Sequence, residues 1–292
     1  MKRYILIFLR YIAKIIERTP STVLMFLLAG KLIFQRCDAK FESKNDRTIN
    51  VLGNGPSCHS TFNEHRKAGE DIMVVNFFAT AKEFFDYKPS HYLLIDPLFF
   101  SDNSERFIKL YEVINSATWH MVLFVPANYY KIANNLINSP FVKIGAIRFN
   151  HYPGENKWLY RLYKSNLVTP KFQNVVIACL YLSVNEGYST IKLHGVEADE
   201  FKRLSVNNNN EVLLETEHFY GKSSLNLTAE GRIEKGGLWK YLKFYSFMFE
   251  GFLEVEKYSK FMKCQIINFT ENSTIDSFYR NAKPYPIKLK QK

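Results

Sequence analysis

Seven short apolar runs punctuate the body of this chain: Ile49–Leu52, Ile72–Val75, His91–Ile95, Met121–Val125, Lys143–Ile147, Thr190–Leu193 and Gln265–Phe269. Helix-length segments lie between most of them, among them Ser104–Ile114, Tyr129–Leu136 and Asn174–Glu186. Strand-sized runs interleaved with helices predict an α/β, Rossmann-like domain, a mainly parallel sheet covered by helices on both faces. Ligands of such sheets sit beyond the carboxyl ends of the strands, near the point where strand order reverses. Candidate functional residues are therefore those that come directly after the runs. Between the sixth and seventh run the pattern loosens. Asn207–Asn210 reads as a polar loop that Thr216–Leu227 continues over the sheet edge, giving a lid region at about 200–235. Leu238–Phe261 then reads as a long, aromatic-rich helix.

The amino-terminal 47 residues have a different pattern. On a helix through residues 4–18, Ile5, Phe8, Leu9, Ile12, Ile15 and Ile16 share one face, and Arg10, Lys14, Glu17 and Arg18 the other. Pro20 ends that helix, and Val23–Phe34 forms a second apolar segment interrupted by Lys31. Neither reaches the roughly 20 apolar residues that span a bilayer, and charges break the first run where a signal peptide needs an unbroken core. The pattern predicts a basic amphipathic segment lying in a membrane interface over 1–47, with the Rossmann-like domain over 48–292. An anionic cytoplasmic leaflet is the expected attracting surface, with the protein held peripherally.

Charge agrees with this. The formal net charge is +11, and ten Lys or Arg stand against four acids between Met1 and Arg47. A second basic cluster, Lys283, Lys288, Lys290 and Lys292, ends the chain. No zinc-finger, RRM or helix-turn-helix signature accompanies them, so nucleic acid is not the expected anionic partner. The four cysteines, Cys37, Cys58, Cys179 and Cys264, are far apart and lack metal-ligand or disulfide spacing. No metal and no cofactor is expected.

The strongest local motif joins the first run to the loop Gly53-Asn54-Gly55-Pro56-Ser57. Two glycines let the backbone turn closely, Pro56 fixes its path, and Ser57 is placed to cap the next helix. Free N–H groups at that helix start would face an anionic ligand, and Asn54 can pair with a ribose or a base edge. The Gly-Lys-Ser/Thr ending of a Walker loop is absent. Asn76 ends the second run and Asp96 the third, so three successive units present Asn54, Asn76 and Asp96 on one edge of the sheet.

These motifs, together with Ile95-Asp96-Pro97-Leu98-Phe99-Phe100, Glu186-Gly187-Tyr188, His194-Gly195-Val196-Glu197 and His218-Phe219-Tyr220-Gly221, resemble the bacterial sialyltransferases of glycosyltransferase family 42 and their relatives from capsule and O-antigen clusters. The resemblance runs discontinuously from Ile49 to Ser273. It implies a GT-A-like variant of the Rossmann fold and inverting, metal-independent transfer from a nucleotide sugar, a CMP-sugar first, to a lipid-linked glycan such as lipopolysaccharide or capsule. It also implies homo-oligomers. Carried over residue by residue, Gly53, Asn54, Gly55, Pro56, Ser57, Asn76, Asp96, Asn174, Gly195 and Asp199 form the donor site. Asp96 stands where the sialyltransferases carry asparagine, and Ala198-Asp199-Glu200 replaces an expected tyrosine.

His218 lies in the stretch that carries the family's histidine base, while a direct alignment puts Lys222 nearer that position. Glu197 and Asp199 are alternative carboxylate bases. Lys222, Lys171 and Arg203 are candidates to neutralise a leaving phosphate. His194, at a strand end, either holds the donor or fills a turn. Two other readings stay open: a phosphoribosyl or pyrophosphoryl transferase of related fold that uses Mg²⁺, and a non-catalytic membrane-associated sugar- or nucleotide-binding protein.

Overall fold

The computed structural model describes residues 46–152, 154–219 and 221–280. The interfacial helices expected in the amino-terminal segment and the basic carboxyl-terminal cluster lie outside these residues. No described helix is long and apolar enough to cross a membrane.

Each of the seven apolar runs forms a strand of one sheet. The strands are β1 (Thr48–Leu52), β2 (Asp71–Val75), β3 (His91–Leu93), β4 (Met121–Pro126), β5 (Val142–Ile147), β6 (Thr190–His194) and, after the intervening strands below, β10 (Gln265–Asn268). Their order is β10-β6-β1-β2-β3-β4-β5, and every pair is parallel. The fold is α/β and Rossmann-like. The chain moves outward in one direction from β1 to β5, then crosses to the other side of β1 to lay down β6 and β10. The reversal falls between β1 and β6, the place where a ligand crevice opens in such sheets.

Helices complete the layers: α1 (Cys58–His65), α2 (Glu83–Tyr87), α3 (Leu98–Ser101), α4 (Glu105–Asn115), α5 (Tyr130–Leu136), α6 (Lys157–Lys164), α7 (Val175–Asn185) and α8 (Leu238–Phe261). One sheet face carries Leu52, Val74, Tyr92 and Leu123 and packs on Phe62 of α1, Phe84 of α2 and Phe107 and Leu110 of α4. Helix α7 covers the strands β1 and β2 and is in turn covered by α8. All nine residues from Val176 to Val184 are buried, as expected of a helix that is apolar on every side. Asn174 starts α7, its side chain accepting from the Val176 amide at 2.7 Å.

The lid region differs from the expected loop. It is a three-stranded antiparallel sheet of β7 (Leu204–Val206), β8 (Val212–His218) and β9 (Gly221–Asn226). The polar loop is confined to the β7–β8 connection, where Asn210 adopts φ +57°. Among the described side chains the sheet buries Val212 and Leu214, which pack with Leu227 and are supported by Leu225, Ile233 and Tyr241. Strand β9, Gly-Lys-Ser-Ser-Leu-Asn, offers a single large apolar side chain. Its turn lacks the Asn-Gly pair that marks a tight hairpin. The strand pattern is thus too polar to announce itself.

Candidate functional site

The loops after β1 and β6 are fastened together at the switch point. The amide of Gly53 donates to the carbonyl of His194 at 2.8 Å, and that of Gly55 to the carbonyl of Gly195 at 2.9 Å. Contact this close requires the absence of side chains. A Cβ on Gly53 would lie 2.3 Å from the Gly195 oxygen. Gly195 itself adopts φ +63°, and a Cβ there would meet the Cβ of Cys58 at 2.5 Å.

Two expectations for this loop are corrected. Ser57 makes no side-chain cap for α1. Its hydroxyl donates instead to Oε1 of Glu197 at 2.6 Å, and its amide donates to the same oxygen at 3.0 Å. The amide of Cys58 donates to Gly55. The amides of Ser57 and Cys58, expected to face an anionic ligand, are thus taken by the protein itself, and a carboxylate already sits where the helix favours negative charge. Glu197, expected as an alternative base, has its carboxylate engaged in holding this loop. Glu197→Ala removes two charge-assisted hydrogen bonds and is expected to lower unfolding stability by about 2 kcal/mol in a urea titration. A loss below about 0.5 kcal/mol, the level of an ordinary surface change, would mean the clamp does not hold the loop.

His194 is likewise assigned to structure. It is fully buried, with Nδ1 3.3 Å from Thr61 Oγ1 and Nε2 3.2 Å from Asn50 Oδ1. Burial pushes its pKa down to about 3. It fills the space between β6 and α1 and has no nitrogen to offer a donor.

Asn54, Asn76 and Asp96, coming after β1, β2 and β3, line one cavity of about 660 Å³. Asn54 is buried, and its Oδ1 has no hydrogen-bond partner among the described residues. Its Nδ2 reaches the Val75 carbonyl at 3.4 Å. Asn76 adopts φ +52°, a backbone state that asparagine tolerates better than most residues, and Tyr92 donates to its carbonyl. Asp96 is exposed, with Oδ1 accepting from the Leu98 amide at 2.9 Å.

A narrower cavity of about 120 Å³ adjoins it, lined by Gly53, Gly55, Pro56, Gly195, Glu197 and Asp199. Asn174 lines both cavities, its Oδ1 already committed to the cap of α7. Arg203 also lines the narrow cavity and pairs with Asp199 at 3.0 Å. Lys171 lines neither, and its Nζ lies 4.2 Å above the Phe247 ring. The structure therefore brings the whole predicted donor set except Ser57 onto the walls of two neighbouring cavities, with Ser57 held just behind by Glu197.

The β8–β9 hairpin meets this site through its turn. The Phe219 amide donates to the Asn54 carbonyl at 3.0 Å, and the Phe219 ring packs on His59 and Phe78. The backbones of His218 and Lys222 flank that turn, in register with Gly221 and Glu217. Their side chains lie outside what is described, so the two candidate bases are located by backbone alone.

No family model and no curated protein matches this chain. Among solved structures it is similar to the sialyltransferase CstII from Campylobacter jejuni, in complex with a substrate analogue, cytidine-5'-monophosphate. The likeness is distant. Identity is 14% with a TM-score of 0.43, over 82% of this chain and 87% of that one.

The residues expected from sequence include none after β4 or β5, whose ends also line the larger cavity. Asn128 and Tyr129 come after β4, and Phe149 and His151 after β5, all on its wall. The rule that ligand residues stand at the carboxyl ends of parallel strands would have found them. Phe172, also on the wall, precedes a helix and carries no such mark.

Proposed function

We propose that this protein is a glycosyltransferase that moves a sugar from a nucleotide-activated donor, a CMP-sugar first, to a surface glycan such as lipopolysaccharide or capsule. The observation that carries the reading is Asn54. A buried amide oxygen without a partner is costly unless a ligand supplies the missing donor. Ribose hydroxyls and the exocyclic amine of a base are such donors, and Asn54 lines the larger cavity. The larger cavity, with its amides and aromatic rings, suits the nucleoside, the sugar and the acceptor, and the narrow one, which Arg203 lines, suits the leaving phosphate.

In this reading the leaving phosphate is met by neutral amides and Arg203, and the reaction proceeds without a metal. His218 or Lys222 on the hairpin completes the site from above. The amino-terminal segment rests on the cytoplasmic face of the inner membrane and keeps the enzyme beside a lipid-linked acceptor, as a homo-oligomer.

A thermal-shift panel of CMP, UDP, GDP, CDP and phosphoribosyl pyrophosphate, each with and without Mg²⁺, tests the donor class. A ligand that binds the native state raises Tm by mass action, by the equivalent of about 2.7 kcal/mol at a hundred times Kd. Selective stabilisation by CMP without Mg²⁺ is the expected result. Stabilisation confined to the pyrophosphate with Mg²⁺ would replace this reading with the phosphoribosyl one.

A further inference from the structure

His151 is held as a proton acceptor is held. Its backbone bridges to Thr169 in parallel fashion, with the Thr169 amide donating to Asn150 at 2.8 Å and the Tyr152 amide to Thr169 at 3.0 Å. The Asn150 side chain ties the same two segments through the Leu167 carbonyl at 3.1 Å. The ring is fixed as firmly. Nδ1 lies 2.9 Å from the Pro170 carbonyl oxygen and 3.3 Å from Thr169 Oγ1. Phe149 stacks against it at 5.8 Å and 19°, and Phe172 meets it edge-on at 5.6 Å and 88°.

A carbonyl only accepts, so Nδ1 carries the hydrogen and the lone pair of the neutral ring is at Nε2. His151 is exposed and lines the larger cavity, and Nε2 has no hydrogen-bond partner among the described residues. His194 makes the contrast plain. There both nitrogens are bonded and the ring is sealed in the core. A histidine on a cavity wall with one nitrogen anchored to a carbonyl and the other left without a partner among the described residues is the arrangement of an oriented base.

We propose that His151 is the general base for the acceptor, which rests on the glycosyltransferase reading above. As the acceptor oxygen bonds to the anomeric carbon, its proton passes to Nε2. The bond from that carbon to the donor's phosphate oxygen breaks, and its electron pair leaves with the nucleotide. The imidazolium then returns its proton to water, and Pro170 holds the ring in place throughout.

The test uses the full chain and two readouts. In ¹⁵N-histidine NMR spectra, with the His151 signals assigned by their loss in His151→Gln, the neutral ring is the Nδ1–H tautomer. An Nε2–H tautomer overturns the proposal whatever the activity. In the transfer assay, His151→Gln and His151→Ala lower kcat at saturating donor by about 100-fold or more, the range typical of a lost general base. Both variants retain the donor-induced Tm shift. His151→Gln also loses the acidic limb of the pH–rate profile, and added imidazole restores part of the turnover of His151→Ala. A His151→Gln enzyme that keeps kcat within about threefold and keeps that limb contradicts the assignment. A wild-type protein that gains no Tm from any nucleotide and transfers nothing fails at the transferase reading itself, and this role falls with it.

Discussion

Gly195→Ala is expected to destabilise the fold by about 2–4 kcal/mol, a large share of the roughly 5–15 kcal/mol that holds a domain together. Two causes add. At φ +63° a Cβ is strained against its own backbone, at about 1 kcal/mol. The same Cβ would stand 2.5 Å from the Cβ and 2.8 Å from the Cα of Cys58, which is fully buried at the start of α1 and has nowhere to go. Overpacking of that kind costs about 1–3 kcal/mol. Gly53→Ala presses on the same contact from the other side, against the Gly195 carbonyl. The two substitutions together should therefore cost less than the sum of their separate effects. Urea unfolding of the three variants measures this. A Gly195→Ala protein within about 0.5 kcal/mol of wild type would mean that the β1 and β6 loops are not locked as described.

Acid should weaken the protein through His194. Burial first, then the nearby His65 and Lys192, push its pKa down to about 3. In the unfolded chain the ring takes a proton near pH 6.5. Between those values the unfolded state binds more protons than the folded one, so stability falls as pH falls. The contribution is complete above about pH 6.5 and erodes by about 1.4 kcal/mol for each unit toward pH 3. Moving from pH 7.5 to pH 5.0 should thus remove about 2 kcal/mol through this one residue. Unfolding titrations at both pH values, on wild type and on His194→Gln, isolate it. Whatever the variant loses at pH 7.5, its further loss on acidification is expected to be about 2 kcal/mol smaller than wild type's. Equal losses would place the origin of the acid sensitivity elsewhere.

Parallel strands buried on both faces leave a clear trace, because a run such as Met121–Val125 turns apolar side chains to both faces of the sheet. That is why the central sheet could be read from the chain. Its order could not, since nothing in Thr190–Leu193 says that it lies beside β1. The convergence of Asn54, Asn76 and Asp96 was legible because each comes after a strand, and strand ends in a parallel sheet share an edge. The tasks of Ser57 and Glu197 were not legible. They are 140 residues apart and meet only because β1 and β6 are neighbours. A polar strand such as Gly221–Asn226 hides for another reason: it offers too few apolar side chains to show a period. His151 had no motif around it at all. Its standing comes from the Pro170 carbonyl and two phenylalanine rings, contacts that sequence spacing does not encode.

The central claim is that the Asn54 amide, buried at the switch point with its oxygen unpartnered among the described residues, receives the nucleotide. Isothermal titration of CMP into wild type and Asn54→Ala, both first shown to have the same Tm without ligand, tests it most directly. The account predicts saturable binding to wild type and affinity about tenfold lower or worse in the variant, the size of one lost buried hydrogen bond. Equal affinity in the two proteins, or no binding of CMP to a folded wild type, would contradict it.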